Sequence, residues 1–297
     1  MGLRKARKSS ACSSDSKENS QEVFSAPRKG NRRSSFFMRM KEELQYLLIP
    51  HDLRHEILEV ARNCETKVKF DVTALLKTSK TEIFANVLLK RLVEALCGNT
   101  YLTEVDLTGL EIGPEGAAAL SHVLGRTCIR ILRLDCTNCG DEGAIQMARV
   151  LAENNSELVT LSMGGNRIGP QGAFALAKAL NVNKGLRTLS LLGNSLGDEG
   201  AMQIARLLSD NVSDLDTLAL GGNGVGPKGA AALAEALAVN QSLQILSLAH
   251  NPLEIEGVRV IADALCKNES LLVFHLSSVT GIKGKGCFSP GARIGGQ

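Results

Sequence analysis

The sequence predicts an α/β solenoid, a horseshoe with parallel strands on its concave face and helices on its convex face. Three observations predict it. One pattern returns six times between Leu102 and Leu265, at steps of 27 to 29 residues, and repetition at a fixed period is the signature of a stacked array. Each return opens with leucines such as Leu186, Leu189 and Leu191, the last two of which point the same way from a short strand. Each closes with an apolar stretch at helical spacing, as in Ala201, Ile204, Ala205 and Leu208. Strands stack beside strands and helices beside helices, and the wider helical layer forces the stack to curve.

Composition agrees with a body built on Leu and Ala. Aromatic residues make up 3% of the chain and Trp is absent. No stretch approaches the roughly 18 apolar residues of a membrane span, and no apolar core follows the basic N-terminus as in a secretory signal, so a soluble chain is expected. Ala6 stands where a myristoylation signal needs Ser or Thr. The eight cysteines form no disulfide framework. Reduced thiols point to a cytoplasmic or nuclear location. Cys136 and Cys139 make a lone C-x-x-C with no second pair, so no metal is expected. In repeat register Cys139 takes the slot of Ile168 and Leu196 and is read as a small buried side chain.

Taken in order, residues 1–35 read as a disordered basic, Ser-rich tail. Residues 1–41 carry eleven basic and three acidic side chains, a net of +8 against +3 for the whole chain. Ser34 and Ser35 follow Arg32-Arg33 and are phosphorylation candidates, where phosphate would cancel much of the local positive field. Residues 36–66 read as N-terminal helices, one from Phe36 to Leu48 and one from Asp52 to Ala61, separated by Pro50. Residues 67–98 read as a degenerate first repeat, a strand from Lys67 to Leu76 and a helix from Thr81 to Leu96, suited to the end of a stack. Regular repeats occupy 99–276.

Within them a turn position is filled in succession by Leu110, Thr137, Asn166, Asn194, Asn223, Asn251 and Val279. The amides of Asn166, Asn194, Asn223 and Asn251 are expected to satisfy backbone groups and join neighbouring coils as a ladder. Gly197-Asp198-Glu199-Gly200 opens a helix with acids near its positive end, and Gly169-Pro170 and Gly226-Pro227 do so with Pro at the first helical position. An Asn recurs near each helix exit, including Asn154, Asn211, Asn240 and Asn268 of the N-x-S sequons, and is read as suited to left-handed backbone there. Residues 277–297, with six glycines, read as an uncapped tail. The last full helix, with Val258, Ile261, Ala262 and Leu265 on its inner face, is then left with an open side.

The N-x-I-G-x-x-G-A-x-x-L-A-x-x-L pattern, as in Asn166 to Leu180, resembles the ribonuclease-inhibitor-like class of leucine-rich repeats. That class also forms the sensor ends of NOD-like receptors and the body of Ran GTPase-activating proteins. The resemblance covers about 102–276 and rests on scaffold residues, so it implies a fold and leaves the role open. The long acidic segment that follows the repeats in the Ran activators has no counterpart here, and no G-x-x-x-x-G-K-[ST] loop precedes them.

For chemistry, strand alternation places charged residues Glu104, Asp106, Arg133 and Asp135 at one end of the concave face. Small residues fill its middle, among them Ser162 and Ser190, with Leu192 beside them. These seven positions are the expected protein-binding set. The five histidines fall on different elements, so no catalytic set converges and no cofactor is expected. The expected role is a non-catalytic intracellular interaction scaffold. The alternatives are a Ran-type GTPase activator and a cytoskeletal or innate-immune regulator, the cytoskeletal one resembling tropomodulin in outline. The expected partner is another protein, without small-molecule substrate, membrane or nucleic acid, with weak self-association through the open C-terminal end.

Overall fold

The computed structural model describes residues 40, 51–65, 68–72, 85–154 and 156–277. The basic segment 1–35, Ser34 and Ser35, the helix expected over Phe36–Leu48 apart from Met40, and the tail beyond 277 lie outside the described residues.

The elements run α1 (His51–Arg62), β1 (Lys69–Asp71), α2 (Ala85–Leu96), β2 (Glu104–Asp106), α3 (Gly113–Leu124), β3 (Ile131–Arg133), α4 (Gly140–Glu153), β4 (Thr160–Ser162), α5 (Pro170–Leu180), β5 (Thr188–Ser190), α6 (Gly197–Ser209), β6 (Thr217–Ala219), α7 (Pro227–Leu237), β7 (Ile245–Ser247), α8 (Glu254–Leu265) and β8 (Val273–His275). The strands pair in chain order, all parallel, in one eight-stranded sheet. The molecule is the horseshoe expected, strands inside and helices outside.

Register holds the core. Val105, Leu132, Leu161, Leu189, Leu218 and Leu246 stand side by side across the sheet and are fully buried. Leu120, Leu151, Leu176, Ile204, Leu208 and Leu237 meet them from the helices. Each helix from α3 to α8 opens its inner face with a glycine because the neighbours are close. A Cβ at Gly172 would fall 2.7 Å from Ile168 Cγ2 and 3.0 Å from Ala144 Cβ.

Two rows of asparagines tie the coils together. In the turns after the strands, Asn194 Nδ2 donates to Met163 O and Leu191 O, each at 2.9 Å. Its Oδ1 accepts from the N–H of Asn166 and Ile168, also at 2.9 Å. Asn166 and Asn251 repeat this arrangement one coil earlier and two coils later. Asn223 donates to Leu191 O and Gly221 O, but its buried Oδ1 has no partner. Thr137 fills the turn in the earlier coil and its hydroxyl bonds Leu134 O, Asn166 Oδ1 and the Cys139 sulfur. Burial pushes the Cys139 thiol up to about 11, against the lowering effect of the Thr137 bond.

A second row lies at the helix exits. Asn99, Asn183, Asn240 and Asn268 donate to Val60 O, Leu151 O, Leu208 O and Leu237 O of the preceding coil, at 2.7 to 3.0 Å. Their Oδ1 atoms accept from the N–H of the leucines that enter the strands, Leu102, Leu186, Leu243 and Leu271. The expectation of left-handed backbone at the sequons therefore divides. Asn154 and Asn211 have φ of +51°. Asn240 and Asn268 do not adopt it and donate to the preceding coil, whereas Asn154 and Asn211 meet the following one.

The last helix is less buried than those before it. Of Val258, Ile261, Ala262 and Leu265, only Ile261 is buried, and Ala262 is exposed. The corresponding Ala205 and Leu208 of α6 are buried. Those positions point toward the helix of the next coil, and among the described residues no helix follows β8.

Candidate protein-binding face

The concave floor is built from strand residues that alternate away from the core. The first row is Lys69, Glu104, Ile131, Thr160, Thr188, Thr217, Ile245 and Val273, and the second is Asp71, Asp106, Arg133, Ser162, Ser190, Ala219, Ser247 and His275. Asp135, Gly164, Leu192, Gly221 and Ala249 follow two residues further on.

At the N-terminal end the charges satisfy one another. Arg133 Nη1 donates to Glu104 Oε1 and lies 3.8 Å from Asp106 Oδ2. Lys69 Nζ bridges Glu104 at 3.0 Å and Asp71 at 3.4 Å. Burial pushes the Glu104 carboxyl up, but the bonds from Lys69 and Arg133 outweigh it and hold it below its ordinary value. Donating to Glu104 raises Lys69 above its ordinary value. Asp106 is buried and accepts the N–H of Thr108 at 3.0 Å. Asp135 Oδ1 accepts from Ser162 Oγ at 2.6 Å and from the Gly164 N–H at 2.5 Å. Four of the seven predicted residues, Glu104, Asp106, Arg133 and Asp135, thus serve first to link β1–β4. Lys69 and Asp71 complete the group and were not singled out in the sequence.

The middle of the floor is open. Ser162, Ser190, Ala219 and Ser247 are half-buried and short. Leu192 stands among them 44% exposed. Glycines flank it for a steric reason. A Cβ at Gly164 would fall 2.8 Å from Asp135 Oδ1 and 3.1 Å from Leu192 O. At Gly221 it would fall 3.0 Å from Ala249 O and 3.1 Å from Leu192 Cδ2. A side chain at either glycine would crowd Leu192 or displace its strand. The floor therefore offers hydroxyls, a flat small-residue surface and one apolar knob. Of the C-x-x-C pair, Cys136 is exposed beside this floor and Cys139 is buried.

The helices carry contacts that strand alternation does not reveal. Asp141 Oδ1 accepts from the N–H of Gly169 at 2.7 Å and of Gly172 at 2.8 Å. Asp198 Oδ1 does the same for Gly226 and Gly229, both at 2.8 Å. Each carboxylate sits in the first turn of its own helix but satisfies the free N–H groups that open the next one. The signal available in the sequence is the 57-residue recurrence of Asp141 and Asp198, each one coil before a Gly-Pro pair.

Residues 98–121, 154–177, 182–205, 213–234 and 239–262 match the leucine rich repeat family model. No curated protein matches the chain. Among the solved structures it is similar to are the following three. The leiomodin-1 actin-binding site 2 is 18% identical over 74% of this chain and 90% of that one, with a TM-score of 0.33. A TLR13–ssRNA13 complex is 19% identical over 64% of this chain and 24% of that one, with a TM-score of 0.41. The tropomodulin C-terminal domain of Caenorhabditis elegans is 14% identical over 73% of this chain and 92% of that one, with a TM-score of 0.31. Likeness of this degree identifies no shared partner or role.

Proposed function

Because the chain is a leucine-rich-repeat protein, we propose that it is a non-catalytic scaffold whose concave face docks another protein, within the cytoplasm or nucleus. One observation carries the reading. Leu192 is exposed on a floor of Ser, Thr, Ala and Gly, so a partner can reach it without displacing other side chains. Apolar groups surrounded by polar ones are where interfaces place their energy. Ser162, Ser190 and the Thr160–Thr188–Thr217 row supply hydroxyls around the knob. Glu104 and Arg133 form its charged rim. Lack of Trp and Tyr on the floor favours moderate affinity. The free thiols found among the described residues support a reducing compartment.

The test compares Leu192→Arg with wild type by proximity labelling in cells. Leu192→Arg is expected to remove a defined subset of neighbours while leaving circular dichroism and melting unchanged. Glu104 and Arg133 reversed together should weaken the same subset less. Asp106 is unsuitable for this purpose, because its buried carboxylate holds a turn. An unchanged neighbour set in both variants would move the binding site elsewhere.

A further inference from the structure

The convex face carries an ordered pattern of its own. Counted from the glycine that opens each inner helix face, the residue two positions on is Ala118, Ile145, Phe174, Met202 and Ala231 in α3 to α7. None of these is buried, and Phe174 is 53% exposed. They form an apolar stripe across the outside of the horseshoe, at right angles to the helices. In α8 the position holds Arg259, which ends it.

Polar residues border the stripe on both sides, mostly acidic on one and mostly cationic on the other. The residue before each glycine is Glu115, Glu142, Gln171 and Glu199 in α3 to α6. The residue six after it is His122, Arg149, Lys178 and Arg206. All eight are exposed. On each helix the two borders are seven residues apart, about 10.5 Å along the axis at 1.5 Å per residue. At that distance they do not pair, and none of the ion pairs among the described residues includes them. Gln146 instead bridges Glu142 and Arg149 by hydrogen bonds of 2.7 and 3.0 Å. A notch between α3 and α4 opens beside this border, lined by His122, Arg126 and Arg149 together with Glu153. In α7 the signs reverse to Lys228 and Glu235, so the pattern ends on its C-terminal side.

We propose that α3–α6 form a second docking surface, for an amphipathic helix of a partner protein. The helix lies along the stripe, its apolar face on Ile145, Phe174 and Met202. One flank is acidic and faces His122, Arg149, Lys178 and Arg206. The other is basic and faces Glu115, Glu142 and Glu199. Width supports a helix, since borders about 10.5 Å apart match the roughly 10–12 Å diameter of one with its side chains. Four helices at about 8–10 Å spacing span a partner of about 20 residues. A nucleic acid or an anionic lipid surface fits poorly, because Glu115, Glu142 and Glu199 would repel it. Reversing the direction of the bound helix exchanges its flanks, so the two borders set its direction. This surface is separate from the concave face.

The experiment uses the full chain and three fluorescein-labelled synthetic helices of about 20 residues. All have a Leu/Ala face. One has a Glu flank and a Lys flank, one has Lys on both, and one has Glu on both. Fluorescence anisotropy is expected to show the mixed helix binding at least about tenfold more tightly than either uniform one, a gap that hydrogen-bonded charge pairs at an interface can supply. Phe174→Asp should weaken it at least about tenfold, as loss of a central aromatic anchor does. Arg149→Glu with Arg206→Glu should shift the preference to the helix with Lys on both flanks. Leu192→Arg should change nothing. Equal binding of all three helices, wild-type binding by Phe174→Asp, or loss of binding in Leu192→Arg would each overturn the proposal. Melting curves of the variants confirm that each is folded before it is compared.

Discussion

A single side chain in this array can join three stretches of backbone. Asn194 donates to carbonyls of its own coil and the preceding one, and accepts two N–H groups of the preceding turn. No apolar residue of its size does this, and Asn194 is buried. Asn194→Ala removes both donors and the acceptor, so buried backbone groups lose partners at roughly 1–3 kcal/mol each when nothing replaces them. A lower urea midpoint with an unchanged denaturant slope is the expected result. Asn223→Ala should cost less, because its Oδ1 accepts nothing. Equal midpoints for Asn194→Ala and wild type would show that the turn finds its bonds elsewhere.

At the scale of the element, helices are opened by their neighbours. Pro170 and Pro227 start α5 and α7, and the carboxylates of Asp141 and Asp198 reach them from α4 and α6. Asp198→Ala should therefore raise amide exchange in the first turn of α7 more than in α6, where the substitution lies. Exchange rising in α6 alone would remove this cross-coil cap from the account. The strands and helices themselves were readable in the sequence, because alternating and helical spacing recur at nearly constant steps. The Asp contacts were not, since the partner N–H groups lie 28 to 31 residues away and an acid in a first turn already has a local explanation. The two uses of Asn at helix exits were hidden for a related reason. Asn154 and Asn211 stand four residues before the leucine that enters the next strand, whereas Asn240 and Asn268 stand three before it. That one-residue offset separates left-handed backbone from a bond to a carbonyl of the preceding coil, while Asn211 bonds forward to Val239 O at 2.7 Å. On the concave face, alternation located Glu104 and Arg133. Lys69 escaped because it pairs with Glu104 across a step of 35 residues, outside the regular period.

For the whole molecule, stability comes from contact between adjacent coils, so each coil is as stable as its two interfaces allow. The last described coil has one. Leu272 is 75% exposed and Val273 is also exposed, while Leu265, Leu271, Phe274 and Leu276 are only partly buried. Their counterparts Leu208, Leu243, Leu246 and Leu248 are buried one or more coils earlier. Each large apolar side chain left in water forgoes about 1.5–3 kcal/mol of burial. Such a loss stays local in a stacked array, and the end should open before the middle. Hydrogen exchange is expected to be fast over 266–277 and slowest in β4 to β6. Among the described residues no strand pairs with the outer edge of β8, and a strand edge without a partner invites another strand. We therefore expect the chain to self-associate weakly as its concentration rises, with protection over 266–277 increasing in step in sedimentation and exchange measurements on the same samples. Uniform protection through residue 277 in a sample that stays monomeric would mean that another part of the chain covers this face.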